Sequence, residues 1–276
     1  MRTWVLLTWK NLRDARAMLL LSAVALFGLS WLSVYVTGRI EARFARTSDP
    51  RDLARRQSFL RGMGGNSMDF SSAAIEMAWW NHPFIVLTIA AWSITRGTAA
   101  VSAEIERGTL DLIVSRPVPR WSYLLSHVSA AVLGLVLLMT GLVLGNLVGT
   151  QYNRVLSPPG VVDLILPGWH LGCLGFAMFG YTIVLSAWDI ARWRPALIAS
   201  VWTLASLIAP FLAQAPGMED WKWIESLSVF KGYNPVDSIL EAESLAYNTT
   251  ILCLVGLTGV VGALIIFQRR DLPSSS

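Results

Sequence analysis

WSYLLSHVSAAVLGLVLLMTGLVLGNLVG, residues 121–149, runs without a lysine, arginine or acidic residue. A bilayer's hydrocarbon core is about 30 Å thick and a helix rises about 1.5 Å per residue, so about 20 apolar residues cross it. This run exceeds that length, which leaves room for a tilt or a kink. Moving outward along the chain, five more segments qualify: roughly 17–37, 83–103, 167–190, 195–215 and 247–268. Only Ile190–Arg194 separates the fourth from the fifth, which predicts a tight helical hairpin. Composition agrees, with 54% hydrophobic residues, 14% charged residues and a mean hydropathy of +0.52. A soluble domain averages about 25% charged because its surface must be wetted. The expected fold is an all-α integral membrane protein with six transmembrane helices. It forms a single membrane domain over residues 1–276, with no internal repeat and no second, water-soluble domain.

The segments outside the spans have distinct characters. Residues 1–16 are basic and amphipathic, with Trp4, Leu7 and Leu12 against Lys10, Arg13 and Arg16, as in a helix lying in the membrane interface. The segment is too long for a cleaved signal peptide and lacks a small-x-small cleavage site, so the first helix is read as retained. Residues 38–82 form a long loop with Asp49-Pro50 and Gly62-Met63-Gly64-Gly65-Asn66. The loop before the last span carries Trp221, Trp223, Phe230 and Tyr233, an aromatic belt for a membrane–water boundary. Residues 271–276 are a polar tail.

Positive charge accumulates on the cytoplasmic side of membrane proteins. With the N-terminus inside, that side holds Arg2, Lys10, Arg13, Arg16, Arg107, Arg116, Arg120, Arg192, Arg194, Arg269 and Arg270. The loops after the third and fifth spans carry mainly acidic residues. Residues 38–82 run against the pattern, but their arginines are partly balanced by Glu41, Asp49 and Asp52. The expectation is a multi-pass cell (inner) membrane protein with both termini cytoplasmic. Its net charge of +4 and pI near 9.3 then reflect orientation and lipid headgroups rather than nucleic acid.

Between the second and third spans lies the most charge-dense interruption, Glu104-Ile105-Glu106-Arg107-Gly108-Thr109-Leu110-Asp111-Leu112-Ile113-Val114-Ser115-Arg116-Pro117-Val118-Pro119-Arg120. Gly108 allows a sharp turn, Thr109 suits a helix start and Asp111 the first helical turn. Leu110, Ile113 and Val114 fall on one apolar stripe, and Pro117 with Pro119 ends the helix. A short, bounded amphipathic helix on one side of a membrane protein is a handle for a partner. In the third span, Gly141, Gly145 and Gly149 recur every four residues, a ridge that lets helices approach closely, either within the chain or in a dimer.

Several chemistries lack their residues. A phosphate-binding loop needs a Gly-Lys-Ser/Thr sequence, yet the only lysines are Lys10, Lys222 and Lys231, and none follows glycine. Nucleotide hydrolysis, if the protein depends on it, belongs to another subunit. An ion-coupled secondary transporter would place carboxylates or histidines at mid-membrane, whereas the deepest charge is Arg96, toward the cytoplasmic end of the second span and placed to snorkel or pair. Asp189 sits at a span end with Arg192 as its expected ion-pair partner. A membrane enzyme acting on lipid would gather polar groups at one depth, and no such gathering or nucleophile motif is visible. His82, His127 and His170 lie near span ends without ligand spacing, and Cys173 and Cys253 read as buried apolar thiols. No catalytic, cofactor-binding or metal residue is assigned.

Residues 104–120 resemble the cytoplasmic linker of type 2 ABC (ATP-binding-cassette) permeases. That family shows a Glu, a Glu/Arg pair, Gly-Thr-Leu, a short apolar run and Ser/Thr-x-Pro-x-x-Arg. Glu104, Glu106, Arg107, Gly108, Thr109, Leu110, Ser115, Pro117 and Arg120 fill those places. The interfacial helix, six spans, Asn234-Pro235-Val236-Asp237 before the last span and the Arg-Arg-Asp-Leu ending at 269–272 are similar too. The branch it most resembles includes the permease of the copper-maturation system for nitrous oxide reductase and related exporters. The Arg-rich first outer loop and Arg96 depart from the family pattern. The resemblance implies a permease subunit of an exporter that works with an ATP-binding subunit and a second permease copy or homologue in membrane lipid. ATP and Mg would be held by the partner. Glu104, Glu106, Arg107, Gly108, Thr109, Leu110, Ile113, Pro117 and Arg120 would form the coupling segment.

Overall fold

The computed structural model describes residues 2–44, 79–109, 118–155, 158–213, 219–233, 235 and 242–270. The first helix, α1 (Arg2–Asp14), is followed after a single residue by α2 (Arg16–Phe44). Next come α3 (Pro83–Ala99), the short α4 (Ser102–Glu106), α5 (Arg120–Tyr152), α6 (Val161–Trp188) and α7 (Trp193–Ala213). Two 3₁₀ helices, Glu219–Leu227 and Val229–Gly232, precede α8 (Ala242–Arg269). Among the described residues, α2, α5, α6, α7 and α8 contain the five stretches long and apolar enough to cross a membrane. The protein is therefore an all-α integral membrane protein. The 17-residue α3 lies among these helices with Ile85, Val86, Ile89 and Trp92 buried.

The element ends differ from expectation at definable places. Helix α2 continues to Phe44 through residues expected to lie in a loop. Arg39, Ile40, Glu41, Ala42 and Arg43 are adequate helix formers, and Gly38 lets the helix pass the Arg154 backbone, whose oxygen would lie 2.6 Å from an added Cβ. Helix α3 stops at Ala99 instead of 103, and α6 begins at Val161, six residues before Pro167. The α6 start is held by Asp163, whose Oδ2 accepts the Gly160 N–H at 2.9 Å. Pro83 occupies the first turn of α3, where its missing N–H costs nothing, and His82 Nδ1 accepts the Phe84 N–H at 3.4 Å.

Helix α6 is the hub, packed against α3, α5 and α8. One core cluster gathers Leu26, Trp80, Ile89, Trp92, Leu142 and Leu174. A second, nearer the ends that carry α1 and the last residue of α8, gathers Ala100, Val101, Tyr123, Phe179, Ile183 and Phe267. We call the end with the second cluster the basal end. The outward faces are apolar too: Ile198, Val201 and Phe211 of α7 and Leu133, Val136 and Leu137 of α5 are exposed. Lipid tails, as apolar as leucine, take the place of water there.

Two close approaches position the bundle. The ridge of Gly141, Gly145 and Gly149 faces α2 of the same chain, opposite Ala23, Phe27 and Val34. A Cβ on Gly141 would lie 3.2 Å from the Ala23 oxygen, and one on Gly149 would lie 2.9 Å from Val34 Cβ. A second approach, not anticipated from sequence, joins α6 to α8 where Gly180 meets Gly256 and Gly259. At the end opposite the basal one, Phe230 and Tyr233 of the aromatic loop are buried while Trp221 and Trp223 stay exposed. Ser228 Oγ donates to the Ser206 oxygen at 2.6 Å, tying that loop to α7.

Candidate functional site

The coupling segment is approached through a break in the chain. After Ala99 the helix loses its register at Val101 (φ −133°, ψ −62°) and restarts as α4. A buried break exposes backbone groups that must find partners. Here neighbouring helices supply them. Ser186 Oγ of α6 accepts the Ser102 N–H at 3.0 Å and donates to the Thr98 oxygen at 3.2 Å. Tyr123 Oη of α5 donates to the Ala100 oxygen at 2.9 Å. Ser102 and Ser186 are both fully buried, so this stitch is made away from solvent.

From α4 the chain turns at Gly108, the one positive φ (67°) among the described residues. A glycine adopts that conformation without the Cβ penalty other residues meet. The turn is closed by the Thr109 N–H, which donates to the Glu104 oxygen at 3.0 Å. The Thr109 hydroxyl donates to the same oxygen at 3.3 Å and also to the Glu104 carboxylate. Arg107 lies 3.7 Å from Glu104, but the arginine is mostly exposed and contributes little. Glu106 reaches sideways: its Oε2 accepts the Arg192 N–H at 2.8 Å, anchoring α4 to the α6–α7 turn.

That turn is organised by Asp189, whose Oδ1 accepts the N–H groups of Ile190 at 2.7 Å and Ala191 at 3.0 Å. Its ion-pair partner is Arg194, at 3.8 Å, rather than the expected Arg192. The Asx turn explains the change. With the carboxylate committed to capping, α7 begins at Trp193 and presents Arg194 to it, leaving the Arg192 backbone free to meet Glu106.

Two arginines close the basal end. Arg120, at the start of α5, donates to the oxygens of Phe267 at 3.3 Å, Gln268 at 3.3 Å and Arg270 at 2.9 Å. These carbonyls belong to the end of α8, where four oxygens lack intrahelical donors and the helix dipole favours a cation. Arg270 in turn donates to the Ala187 oxygen at 2.8 Å and the Asp189 oxygen at 3.2 Å, which performs the same service for α6. Helix α1 joins through Asn11 Nδ2, which donates to Ser126 Oγ at 3.1 Å, while Val5, Leu6 and Trp9 face outward.

Arg96 neither snorkels nor forms an ion pair among the described residues. It is 7% exposed, its guanidinium stands 5.9 Å from the Trp92 ring centroid, and it feels Asp14 and Glu104 only through space. Of the expected coupling residues, Glu104, Glu106, Arg107, Gly108, Thr109 and Arg120 are brought to the basal end. Leu110, Ile113 and Pro117 lie outside the described residues, as does the forward helix that Thr109 would cap. Sequence reasoning missed Ser186, Tyr123 and Arg270. Arg270 carried the only signal, as half of a basic pair after the last span. Among the described residues no three His, Cys, Asp or Glu side chains gather to hold a metal.

The arrangement is thus a set of hydrogen-bonded ties at one end of a membrane bundle. No curated protein matches the chain. The family model described as ABC-2 family transporter protein matches residues 6–272, which takes in every helix described above from α2 to α8 and most of α1. A multi-pass bundle whose basal ties converge around Glu104–Thr109, matched over nearly its whole length, belongs to the ABC-2 family of transporter proteins.

Proposed function

We propose that the chain is the six-span permease subunit of an ABC exporter in the cell membrane, with both termini and the basal end cytoplasmic. It pairs with a second copy or a homologue above two ATP-binding subunits, which hold ATP and Mg. Residues 104–120 form the coupling element: the apolar stripe of Leu110, Ile113 and Val114 seats in a groove of the ATP-binding subunit, and the flanking charges set its register. Closure of the ATP-binding subunits on ATP displaces this element, and the permease pair switches between inward- and outward-facing states.

The observation that carries the reading is the attachment of Glu104–Thr109 to the bundle. Glu106 reaches the α6–α7 turn, and the break behind α4 is stitched to α5 and α6. A push on this segment therefore has hydrogen-bonded routes into several spans. A loop serving only charge balance would need none of them.

Co-purification from membranes tests the proposal. The Leu110→Asp/Ile113→Asp double variant should insert normally and lose its ATP-binding partner. Retained association would place the contact elsewhere, and transport by the purified chain alone in ATP-free liposomes would overturn the reading altogether.

A further inference from the structure

A groove of about 600 Å³ opens between α5, α6 and α8, lined by Val136, Met139, Trp169, Phe176 and both cysteines, Cys173 and Cys253. Its apolar wall selects nothing by itself, because lipid tails are as apolar as the residues that line it. What sets it apart is sulfur. The chain contains two cysteines. Both thiols are free, and they meet here, with the Cys253 S–H donating to Cys173 Sγ at 3.4 Å.

The two residues stand on helices whose backbones meet directly at Gly180, Gly256 and Gly259. Cys173 lies two turns before Gly180 on α6, and Cys253 lies one turn before Gly256 on α8. The glycine contact holds those backbones together in parallel register, because Gly180 meets Gly256 and Gly259 while Arg270 reaches Ala187 farther along both helices. A disulfide requires sulfurs about 2.05 Å apart. The sulfurs start 3.4 Å apart on helices whose backbones already meet at Gly180 and Gly256, so only a short closing movement is needed.

Access decides which reagent can act. A thiol in apolar surroundings is shielded from charged, water-borne reagents. The groove opens between spanning helices, so a reagent dissolved in the bilayer can reach it.

We propose that Cys173 and Cys253 form a redox pair, oxidised to an α6–α8 disulfide by a membrane-soluble, fully substituted quinone that enters through this groove. Two S–H bonds break and one S–S bond forms. The two electrons and two protons pass to the quinone oxygens, giving the hydroquinone. Full substitution leaves no open ring carbon for thiol addition, so two-electron transfer is the available reaction. A dithiol then reverses the bond by exchange.

The test uses the full chain in lipid nanodiscs. It is treated with a short-chain ubiquinone analogue or, separately, with oxidised glutathione, then denatured and labelled with a polyethylene-glycol maleimide. The untreated chain should take two labels. The quinone-treated monomer should take none, and dithiothreitol should restore both. Oxidised glutathione should leave both thiols. The Cys173→Ser variant should keep its single label after quinone, since one thiol cannot close the bond. Two labels after quinone, a disulfide-linked dimer, loss that dithiothreitol does not reverse, or loss of the lone thiol in the variant would each overturn the cross-link. Equal oxidation by glutathione would overturn access through the bilayer. The wild-type measurement stands without the variant.

Discussion

Replacing Gly145 by alanine should pry α2 from α5, and the structure sets the scale. An added Cβ would sit 2.9 Å from Phe27 Cα and closer still to the Phe27 oxygen. Both are backbone atoms, so no rotamer change relieves the contact and the helices must separate. A radial gap of about 0.5–1 Å forfeits a quarter to a half of each dispersion contact across it. The loss extends along the ridge, because Gly141 against Ala23 and Gly149 against Val34 are seated by the same approach. Overpacking of this kind costs about 1–3 kcal/mol. Alanine also gains helix propensity over glycine, about 0.8–1.0 kcal/mol, and that gain must be removed from the comparison. Gly28, in the middle of α2, supplies the control: nothing lies within 4 Å of its added Cβ. Gly28→Ala carries the propensity change without the clash. The expected result is that Gly145→Ala unfolds at lower temperature or denaturant than Gly28→Ala, by about 1–3 kcal/mol. Both are measured on the purified single chain in the same detergent at a dilution that keeps it monomeric. Equal stability of the two variants would refute the reasoning, and a deficit seen only in a dimeric preparation would assign the ridge to an interface between copies.

Other perturbations probe the basal end and the opposite loop. Ser186→Ala strands the buried Ser102 N–H and should cost about 1–3 kcal/mol in thermal unfolding. Ser129→Ala, which removes only a bond to the Leu125 oxygen of its own helix, should cost less. Arg120→Ala should loosen the end of α8 by about 1–2 kcal/mol, seen as faster hydrogen exchange over residues 264–270. Arg120→Lys keeps the charge at the helix end but not the fork, and should fall between the two. Burial holds the Tyr233 phenol above its usual range. The unfolded chain ionises near pH 10 and the native phenol does not, so its contribution is present below about pH 10 and is lost as pH rises above that. Tyr233→Phe should flatten that part of the stability profile, and unchanged alkaline loss would count against the assignment.

Five of the six expected apolar stretches were legible as candidate spans among the described residues because hydropathy over about 20 residues is a physical requirement of the bilayer, not a statistical preference. The glycine ridge was legible as a place of close approach, but spacing alone names no partner, and α2 emerges only once the bundle is assembled. The extension of α2 to Phe44 was hidden because hydropathy falls at Arg39 and Glu41 while helix propensity does not. The break after Ala99 carries no glycine or proline. It exists because Ser186 and Tyr123, far away in sequence, accept the cost of the freed backbone groups. The Arg192–Asp189 pairing failed for a related reason: proximity in sequence says nothing about an Asx turn that commits the carboxylate first. Charge density between two apolar runs picked out 104–120 in the sequence, and the family resemblance supplied its expected role.

The basal ties also imply how the helices share strain. Helix α4 has five residues, too few to hold itself as an isolated helix, so it follows whatever it is tied to. Its hydrogen-bonded ties run to the last turns of α6 and to the turn beyond, where Arg270 also donates from the end of α8. Ser186 and Ala187 are adjacent on α6, so the stitch and the clamp depend on one short piece of backbone. Removing either should let that turn relax and weaken the other. Ser186→Ala and Arg270→Ala should therefore be non-additive in unfolding free energy, with an interaction of about 0.5–3 kcal/mol. Ser186→Ala with Gly145→Ala shares no partner, and these two should add within about 0.3–0.5 kcal/mol. If the first pair added as simply as the second, the basal end would be a set of separate bonds. A displacement of residues 104–109 would then stop at α6 instead of reaching α8.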